Sequence, residues 1–294
     1  MHRKETNLIH SKLANDMMNY INNNIETDIN IDQLALEFGV SKYHFHRIFK
    51  EQMGSNIYES IKSIRLQKAS NLLITNKYST ITEVANMCGY SSQTSFLRAF
   101  KERFGQTPKQ WRKGGYKEYS NKILESSIAA LYSKADYSHL TPRIVKSKGG
   151  VAYYIRLNGY NKKAFDVWRK LQAWVYTNDI KEYRQIGIYH DNPVITPLED
   201  CHYVACIVLD SDAKLINTSL PVFDIMDGVI CAVFDVQGKY GDIQKLIQWV
   251  HHEWLPNSGF ETTTIPSFSQ MHKNHFLEED QTFDITYFLP IRYV

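Results

Sequence analysis

A pattern of helix, glycine turn and serine-capped helix occurs twice in the first third of the chain. The stretch Arg47–Gly54 recurs 51 positions later as Arg98–Gly105. Upstream of each copy, a small apolar pair precedes a glycine and a serine at the same spacing: Leu34-Ala35 with Gly39 and Ser41, then Val84-Ala85 with Gly89 and Ser91. This arrangement is typical of a helix-turn-helix motif, and two motifs in tandem predict contact with DNA.

The second helix of each motif has an apolar face and an outward polar face. A recognition helix lays its N-terminal residues against base edges in the major groove, so the outward positions near each helix start are the DNA-binding candidates. They are Tyr43, His46, Arg47, Gln93, Thr94, Leu97 and Arg98. Arginine can bond guanine through two hydrogen bonds, glutamine can bond adenine, and leucine or a threonine methyl can touch the thymine methyl.

A long apolar-periodic segment, Ile57–Leu73, separates the two motifs and predicts one helix that packs against both. If it holds the recognition helices in successive major grooves of one DNA face, they lie about 34 Å apart. Basic side chains near these helices are expected to meet phosphates or solvent, which adds affinity but little sequence preference. They are Lys50, Lys101, Arg103 and Lys109.

The stretch from Ile81 to Arg112 carries a set of family motifs. They are Glu83-Val84-Ala85, Cys88-Gly89-Tyr90, Phe96-Leu97-Arg98, Phe100-Lys101, Phe104-Gly105 and Thr107-Pro108. With these, residues 12–113 resemble the DNA-binding domain of AraC/XylS-type transcription regulators. The resemblance implies an all-α domain of seven helices, with two helix-turn-helix motifs joined by a long helix. We assign this domain to residues 1–115; the alternative is an ordinary helical bundle with accidental repetition.

Charge is unevenly distributed along the chain. Residues 1–118 carry 17 Lys and Arg against 11 Asp and Glu, whereas residues 119–294 carry 17 against 20. A basic front half fits a polyanionic partner and a mildly acidic rear half does not. The start of the chain lacks an apolar signal segment, and no apolar run approaches the length of a membrane span. We therefore expect a cytoplasmic protein without a membrane partner.

Motifs for catalysis, cofactors or metals are absent from the sequence. It contains no nucleophile elbow, phosphate loop or dinucleotide fingerprint, so we expect no enzyme activity and no cofactor. The cysteines lie in apolar runs without CxxC spacing and are expected to be buried, reduced thiols. They are Cys88, Cys201, Cys206 and Cys231. Four histidines of the rear half are expected to be solvated rather than metal ligands. They are His251, His252, His272 and His275.

From Pro142 onward the pattern changes to strands and two amphipathic helices, which run from Gly159 to Thr177 and from Gly241 to Trp254. Their order predicts two pseudo-symmetric β-α-β-β units in an α+β domain, with Gly159 and Gly238 at equivalent corners between strand and helix. We assign this domain to residues 143–294 and a linker to residues 116–142. A groove between the two units is a natural small-molecule site.

Several motifs of the rear half resemble the GyrI-like small-molecule-binding domain, over about residues 140–294. They are Gly187–Pro193, Gly238, Trp254–Glu261 and Leu289-Pro290. This family binds amphipathic, often cationic compounds, frequently through a buried glutamate. Here Ser269 occupies the position of that glutamate and Met271 that of an expected aromatic residue, which favours an uncharged or anionic ligand or none.

The resemblance implies a ligand groove in the rear half. The candidate groove residues are Tyr189, Ser269, Met271 and Phe288, followed by Tyr153 and Trp168. The alternative for each of them is plain core packing, because aromatic residues at these spacings also fill protein cores.

Together, these patterns predict a sequence-specific DNA-binding transcription regulator whose rear domain senses a small molecule or a protein signal. Two alternatives are kept for the rear domain: hydrolysis of a small molecule, and a role restricted to protein interaction. The expected partners are double-stranded DNA, RNA polymerase and a small-molecule effector, with the chain acting as a monomer or a dimer. Activation and repression are equally compatible with the sequence.

Overall fold

The computed structural model describes residues 2–160, 163–210 and 220–294, which form two units. The front unit, Met1–Tyr116, is helical, whereas the rear unit, Lys117–Val294, is built on an antiparallel sheet with helices. The predicted multidomain fold, all-α followed by α+β, is therefore confirmed. No helix within the described ranges is long and apolar enough to cross a membrane.

Seven α-helices occur in the described part of the front unit. They are α1 (His2–Asn24), α2 (Ile31–Glu37), α3 (Lys42–Met53), α4 (Ile57–Thr75), α5 (Ile81–Met87), α6 (Gln93–Phe104) and α7 (Pro108–Gln110). A π-helical turn, Trp111–Gly115, follows α7. Helices α2 and α3 form the first helix-turn-helix motif, and α5 and α6 form the second.

Local capping chemistry explains where the helices of both motifs start and stop. The side chain of Ser41 accepts a hydrogen bond from the backbone of α3, and that of Ser92 does the same for α6. Such side-chain acceptors satisfy backbone N–H groups that have no partner inside the helix. Each recognition helix ends at a glycine with positive φ, Gly54 at 83° and Gly105 at 66°. Thr80 and Glu83 form a capping box at the start of α5.

Each motif has its own apolar core. In the first, Phe45, Ile48 and Phe49 of α3 are fully buried against residues of α1 and α2. In the second, a row of rings fills the core, listed from α6 to the π-turn as Phe96, Phe100, Phe104 and Trp111. One face of each recognition helix is thereby committed to packing.

Helix α4 packs against α3 of the first motif and against α5 and α6 of the second, and its polar groups bond to the segments beside the motifs. Arg65 donates hydrogen bonds to the carbonyl oxygens of Ile25, at 3.2 Å, and of Thr27, at 2.7 Å. On the other side, the indole of Trp111 donates to the carbonyl of Ser70 at 3.1 Å. The prediction that this helix packs against both motifs is confirmed.

The rear unit contains nine strands in its described residues. They are β1 (Arg143–Lys146), β2 (Gly150–Asn158), β3 (Arg184–Tyr189), β4 (His202–Leu209), β5 (Val222–Ile225), β6 (Ile230–Lys239), β7 (Phe260–Thr262), β8 (Ser267–Lys273) and β9 (Thr282–Tyr293). The helices are α8 (Tyr116–Glu125), α9 (Ile128–Leu131), α10 (Lys163–Thr177) and α11 (Asp242–Trp249). Chain order thus gives β2-α10-β3-β4 and, with the short β7 inserted before β8, β6-α11-β8-β9, which are the two units expected from the sequence.

The strand order makes the internal symmetry explicit. The sheet runs β1-β6-β9-β8-β3-β4-β2-β5, with all pairs antiparallel and β7 beside β9. The central pair β3 and β8 relates the two units. Each unit is also preceded by a short edge strand that pairs with the opposite unit, β1 with β6 and β5 with β2. The two halves therefore form one continuous sheet.

Several details of the rear unit differ from the sequence expectation. Gly238 lies inside β6, and the corner glycine is Gly241, with φ of 103°. Helix α11 ends at Trp249 and continues as a π-helical turn to Trp254. The predicted helix from Gly159 includes residues 161 and 162, which lie outside the described residues. Strands β1, β5 and β7 were not predicted, because they are short.

The segment predicted as a linker, 116–142, carries α8 and α9. Its residues bond to α11: Gln248 donates to the amide oxygen of Asn121 at 2.9 Å, and the hydroxyl of Ser133 donates to Asp242 at 2.5 Å. From Lys117 onward this segment groups with the rear unit. Its role as a connection between the two domains stays a prediction.

Two equivalent turn glycines give a test of how the front unit is packed. Gly39 and Gly89 both have positive φ, at 67° and 73°, but a β-carbon would meet nothing at Gly39 and would lie 2.4 Å from the Ile25 carbonyl oxygen at Gly89. We expect Gly39→Ala to lower the free energy of unfolding by about 1–2 kcal/mol. Gly89→Ala should lower it by about 2–5 kcal/mol, because steric overlap adds to backbone strain.

Urea unfolding of the full chain, followed by far-UV circular dichroism, measures both losses. The Gly39 variant serves as the matched control for backbone strain alone. Equal losses for the two variants would contradict the close packing of the second turn against the loop after α1.

Candidate functional site

The outward face of α3 is polar and accessible near the start of the helix. Tyr43 is 79% exposed and Arg47 is exposed, whereas Phe45 between them is buried. The guanidinium of Arg47 donates to Nδ1 of His44 at 3.0 Å. His44 was not predicted as a site residue, although its spacing of three residues from Arg47 places both on one helix face.

His46 lies differently from the other candidates of α3. Its side chain is half-buried, and its ring lies 5.5 Å from the ring of Tyr58 at the start of α4. Tyr58 is itself more than half exposed. The pair therefore extends the polar face of α3 onto α4. At this edge of the face, the ring of His46 packs against Tyr58 and is only partly exposed to solvent.

The outward face of α6 presents all four candidates of the second motif to solvent. Gln93, Thr94, Leu97 and Arg98 are exposed in the first turns of the helix. Ser92 accepts from the N–H of Ser95 and fixes the helix start. This surface is suited to reading base edges. It combines two exposed polar side chains, Gln93 and Thr94, with the basic Arg98 and the apolar Leu97.

In the rear unit, sheet register decides which predicted ligand residues share a face. Ser269 pairs with Gly187 and Met271 with Gln185, so both project to the same face as Tyr189, which lies two residues from Gly187 and four from Gln185. Phe288 pairs with Phe268, and their rings stack at 4.6 Å on the opposite face. The structure therefore brings together three of the four predicted residues and separates Phe288 from them.

The remaining two candidates are packed into the interior. Tyr153 and Trp168 are both fully buried. The Tyr153 ring lies 4.7 Å from that of Trp174, and the Trp168 indole donates to the hydroxyl of Tyr203 at 3.1 Å. Both side chains therefore belong to the core between the sheet and α10 and are not exposed to a ligand.

A pocket opens on the face that carries Tyr189, between the two β-α-β-β units. Its aromatic walls are Tyr160, Tyr189, Tyr203 and Tyr240. Further lining residues include Asp191, Leu198, Cys201, His202, Ile243 and Gln244. Of the predicted ligand residues, Tyr189 lines this pocket, whereas Ser269 lies beneath it and accepts a hydrogen bond from the Tyr189 hydroxyl at 3.2 Å.

Tyr160 and Tyr240 were not predicted from the sequence, although a signal was present. Each follows the first strand of its β-α-β-β unit and stands next to a corner glycine, Gly159 or Gly241. Their rings are nearly parallel, with centroids 6.3 Å apart. The place of each tyrosine beside a corner glycine was visible in the sequence, but the contact between the two rings was not.

Electrostatics keep the aromatic walls uncharged. Burial raises the pKa of Tyr189 to about 12 and raises the pKa of Tyr160 and of Tyr203 well above the ordinary value. Their hydroxyls therefore stay protonated and act as neutral hydrogen-bonding groups at physiological pH.

Asp191 is the acidic residue of the pocket, and it is engaged by its neighbour His202. One carboxylate oxygen accepts from the backbone N–H of His202 at 2.8 Å and lies 2.7 Å from its ring Nδ1. Burial opposes ionisation of this carboxyl, but the hydrogen bonds from His202 outweigh burial and lower the pKa of Asp191. The carboxylate thus fixes the start of β4 beside the pocket.

Three histidines expected to be solvated are buried, and that expectation was wrong for them. His251, His252 and His275 lie inside the rear unit, and burial lowers the pKa of these side chains to about 4, 3 and 3. Their burial results from packing of the π-helical turn and of the loop after β8, which local sequence patterns do not predict. His272 is exposed, as expected.

Fold and surfaces define a helix-turn-helix protein with an attached α+β binding domain. Residues 34–114 match a family model described as a helix-turn-helix domain, and residues 140–292 match one described as a GyrI-like small molecule binding domain. The chain belongs to the AraC/XylS family of transcription regulators, with an AraC-type helix-turn-helix domain at its N-terminal end and a GyrI-like domain at its C-terminal end.

Named relatives are regulators of transcription. The probable transcription factor PqrA of Proteus vulgaris is 35% identical over 105 residues, which cover 35% of this chain and 85% of that protein. The F1 operon positive regulatory protein of Yersinia pestis is 26% identical over 293 residues, which cover 95% of this chain and 87% of that protein.

A third relative matches over a shorter part of its length. The xylose operon regulatory protein of Escherichia coli strain K12 is 38% identical over 95 residues, which cover 32% of this chain. The match spans 24% of that relative, about a quarter of its length.

The buried histidines predict how the stability of the rear unit depends on pH. Above pH 6.5 each is neutral in both the folded and unfolded states and contributes no pH dependence. Below about pH 6.5 the unfolded chain binds protons that the folded chain excludes, so the free energy of unfolding falls toward about pH 4. Three such groups give a slope of up to about 4 kcal/mol per pH unit, and His190, whose pKa burial also lowers to about 3, adds to it.

Tryptophan fluorescence during urea unfolding reports this change, because four of the five tryptophans lie in the rear unit. His275→Gln should reduce the slope between pH 6.5 and 4.5 by about 1.4 kcal/mol per pH unit. His139→Gln, at an exposed position, is the matched control and should leave the slope unchanged. An unaltered slope in the His275 variant would show that this imidazole is not held neutral.

Proposed function

We propose that this chain is a sequence-specific, DNA-binding transcription regulator whose rear unit senses a small molecule. The observation that carries the proposal is the matched pair of exposed polar faces on α3 and α6. Each belongs to a capped helix of twelve residues whose opposite face is buried. An exposed helix of this kind fits the major groove, and two on one rigid unit fit two neighbouring grooves.

The proposed base-reading residues are the seven candidates named from the sequence, with His44 as an addition. Six of the seven are exposed, and His46 is held at the edge of the face by Tyr58. Lys101 and Lys109 are also exposed and are proposed to contact phosphates. Such contacts position the protein on the duplex without selecting a sequence.

The proposed sensor site is the tyrosine-walled pocket of the rear unit. It lies between the two β-α-β-β units and has walls from both, so an occupant would contact the sheet of the first unit and α11 of the second. A ligand changes transcription only if it binds one arrangement of the protein more tightly than another. We propose binding rather than catalysis at this pocket, and we propose RNA polymerase as the further partner.

Arg98 provides a direct test of the recognition surface. Arg98→Ala should weaken binding to the preferred site by about 1–3 kcal/mol, because a bidentate contact to guanine is lost, and should relax selection at one base pair. The preferred site is first obtained by selection from random duplexes, and fluorescence anisotropy then measures affinity for it and for single-base variants.

Two control variants distinguish the loss of a base contact from the loss of a positive charge near the DNA. Lys101→Ala should weaken binding to all duplexes by the same factor. It should also reduce the slope of the logarithm of affinity against the logarithm of salt concentration by about one. Arg169→Ala, at an exposed position of the rear unit, should change neither quantity. Unchanged affinity and selectivity in the Arg98 variant would refute its assignment as a base-reading residue.

A further inference from the structure

We infer that His44 is a positioning residue for Arg47 and that this role increases the selectivity of the first motif for one base pair. His44 holds the guanidinium of Arg47 near the start of α3, and His10 of α1 in turn supports the ring of His44. The inference rests on the proposed base-reading function of Arg47 and adds how this side chain is kept in place. His44 lies on the same face of α3, but its effect on selectivity passes through Arg47.

The contact between the two side chains determines which atom is the donor. A guanidinium nitrogen of Arg47 lies 3.0 Å from Nδ1 of His44, one helical turn away. A guanidinium can only donate hydrogen bonds, so Nδ1 accepts and the imidazole carries its proton on Nε2. The bond uses one N–H group of Arg47. The remaining N–H groups can still donate to the edge of a guanine.

The ring of His44 is supported by the first helix. It meets the ring of His10 edge-on, with centroids 5.4 Å apart and an angle of 76° between the planes. Both histidines are half-buried. Helix α1 is fixed to α3, because the hydroxyl of Ser11 donates to the side-chain oxygen of Gln52 at 2.6 Å and both helices share the apolar core of the first motif. A series of contacts therefore connects a packed helix to the guanidinium of Arg47.

The second motif has the equivalent arginine without this support. Arg98 follows Arg47 by 51 positions in the repeat, and Ser95 occupies the place of His44. The hydroxyl of Ser95 donates to the carbonyl of Ser92 at 2.7 Å, within the first turn of α6. In the described part of the chain, the guanidinium of Arg98 makes no hydrogen bond or ion pair. One of the two equivalent arginines is therefore held by a neighbouring side chain and the other is not.

An arginine that is held before binding should select its base pair more strongly. A long side chain that becomes ordered only on binding loses conformational entropy, and fixing it beforehand removes part of that cost. The duplex would also exclude water from this face, and a hydrogen bond is stronger where water is excluded. A duplex without the guanine gains nothing from the held side chain, so the effect falls on selectivity.

The selectivity of the full chain for single base pairs tests the inference. Fluorescence anisotropy on the selected duplex and its single-base variants measures it. Arg47→Ala first identifies the base pair at which selection depends on this arginine. His44→Ala should weaken selection at that pair about three- to tenfold, because the acceptor is lost, and should leave selection at the pair read by Arg98 unchanged. His44→Asn should restore most of the selection, because its amide oxygen lies close to the place of Nδ1 and can accept the same bond.

A double substitution separates positioning from direct contact with DNA. In the Arg47→Ala background, His44→Ala should cause no further loss of selection at that base pair, because the histidine acts through the arginine. His10→Ala should weaken selection at the same pair by a smaller factor, about twofold, since the ring of His44 loses one support. Ser95→Ala is the matched control in the second motif and should leave selection at the pair read by Arg98 unchanged.

The outcomes distinguish this inference from the function on which it rests. If Arg47→Ala leaves selection unchanged at every base pair, the base-reading assignment of Arg47 fails and the inference fails with it. If Arg47→Ala relaxes selection at one pair but His44→Ala does not, only the positioning role is overturned. A further loss from His44→Ala in the Arg47→Ala background would also overturn it, because His44 would then contact the DNA directly.

Discussion

Helix α4 sets the geometry on which the front unit depends, because it packs against both helix-turn-helix motifs and is bonded to the segments beside them. Its Arg65 holds the backbone after α1 through two carbonyl groups, and Gly89 of the second motif packs against the same place. Farther along, the Ser70 carbonyl receives the indole of Trp111. A helix fixed at several points along its length cannot hinge freely, so α3 and α6 keep a set separation. The two exposed faces therefore act as one surface, which a pair of flexibly joined motifs could not provide.

The helical unit was largely predictable because its signals are local. A capping serine, an apolar spacing of three and four residues and a glycine that must adopt positive φ all act within one or two turns. Ser41 therefore marks the start of α3 as expected, whereas α6 is capped by Ser92, one residue after the Ser91 of the repeat, and Gly54 and Gly105 mark the ends of the recognition helices. Contacts across the fold were not predictable in this way. The ring of Tyr58 against His46 depends on how α4 crosses α3, which no spacing in the sequence encodes.

In the rear unit the strands were predictable, but their partners were not. Alternation and apolar runs identified the long strands, whereas the exchange of edge strands between the two halves depends on pairing over long sequence separations. Sheet register places Phe288 on the opposite face from Ser269. The groove residues predicted from the sequence therefore included residues from both faces of the sheet. The same limit applies to His251 and His275, whose burial follows from packing of neighbouring elements rather than from their own segments. Ser269 in the place of an expected glutamate was visible from the sequence, but the hydrogen bond between Asp191 and His202 beside the pocket required coordinates.

The central claim is that one rigid helical unit presents two recognition helices to successive major grooves. Hydroxyl-radical footprinting of the full chain on its selected duplex tests this claim most directly. Two protected segments should be seen on one face of the duplex, with centres about one helical turn, roughly 10 base pairs, apart. A single protected segment, or two segments on opposite faces of the duplex, would contradict it.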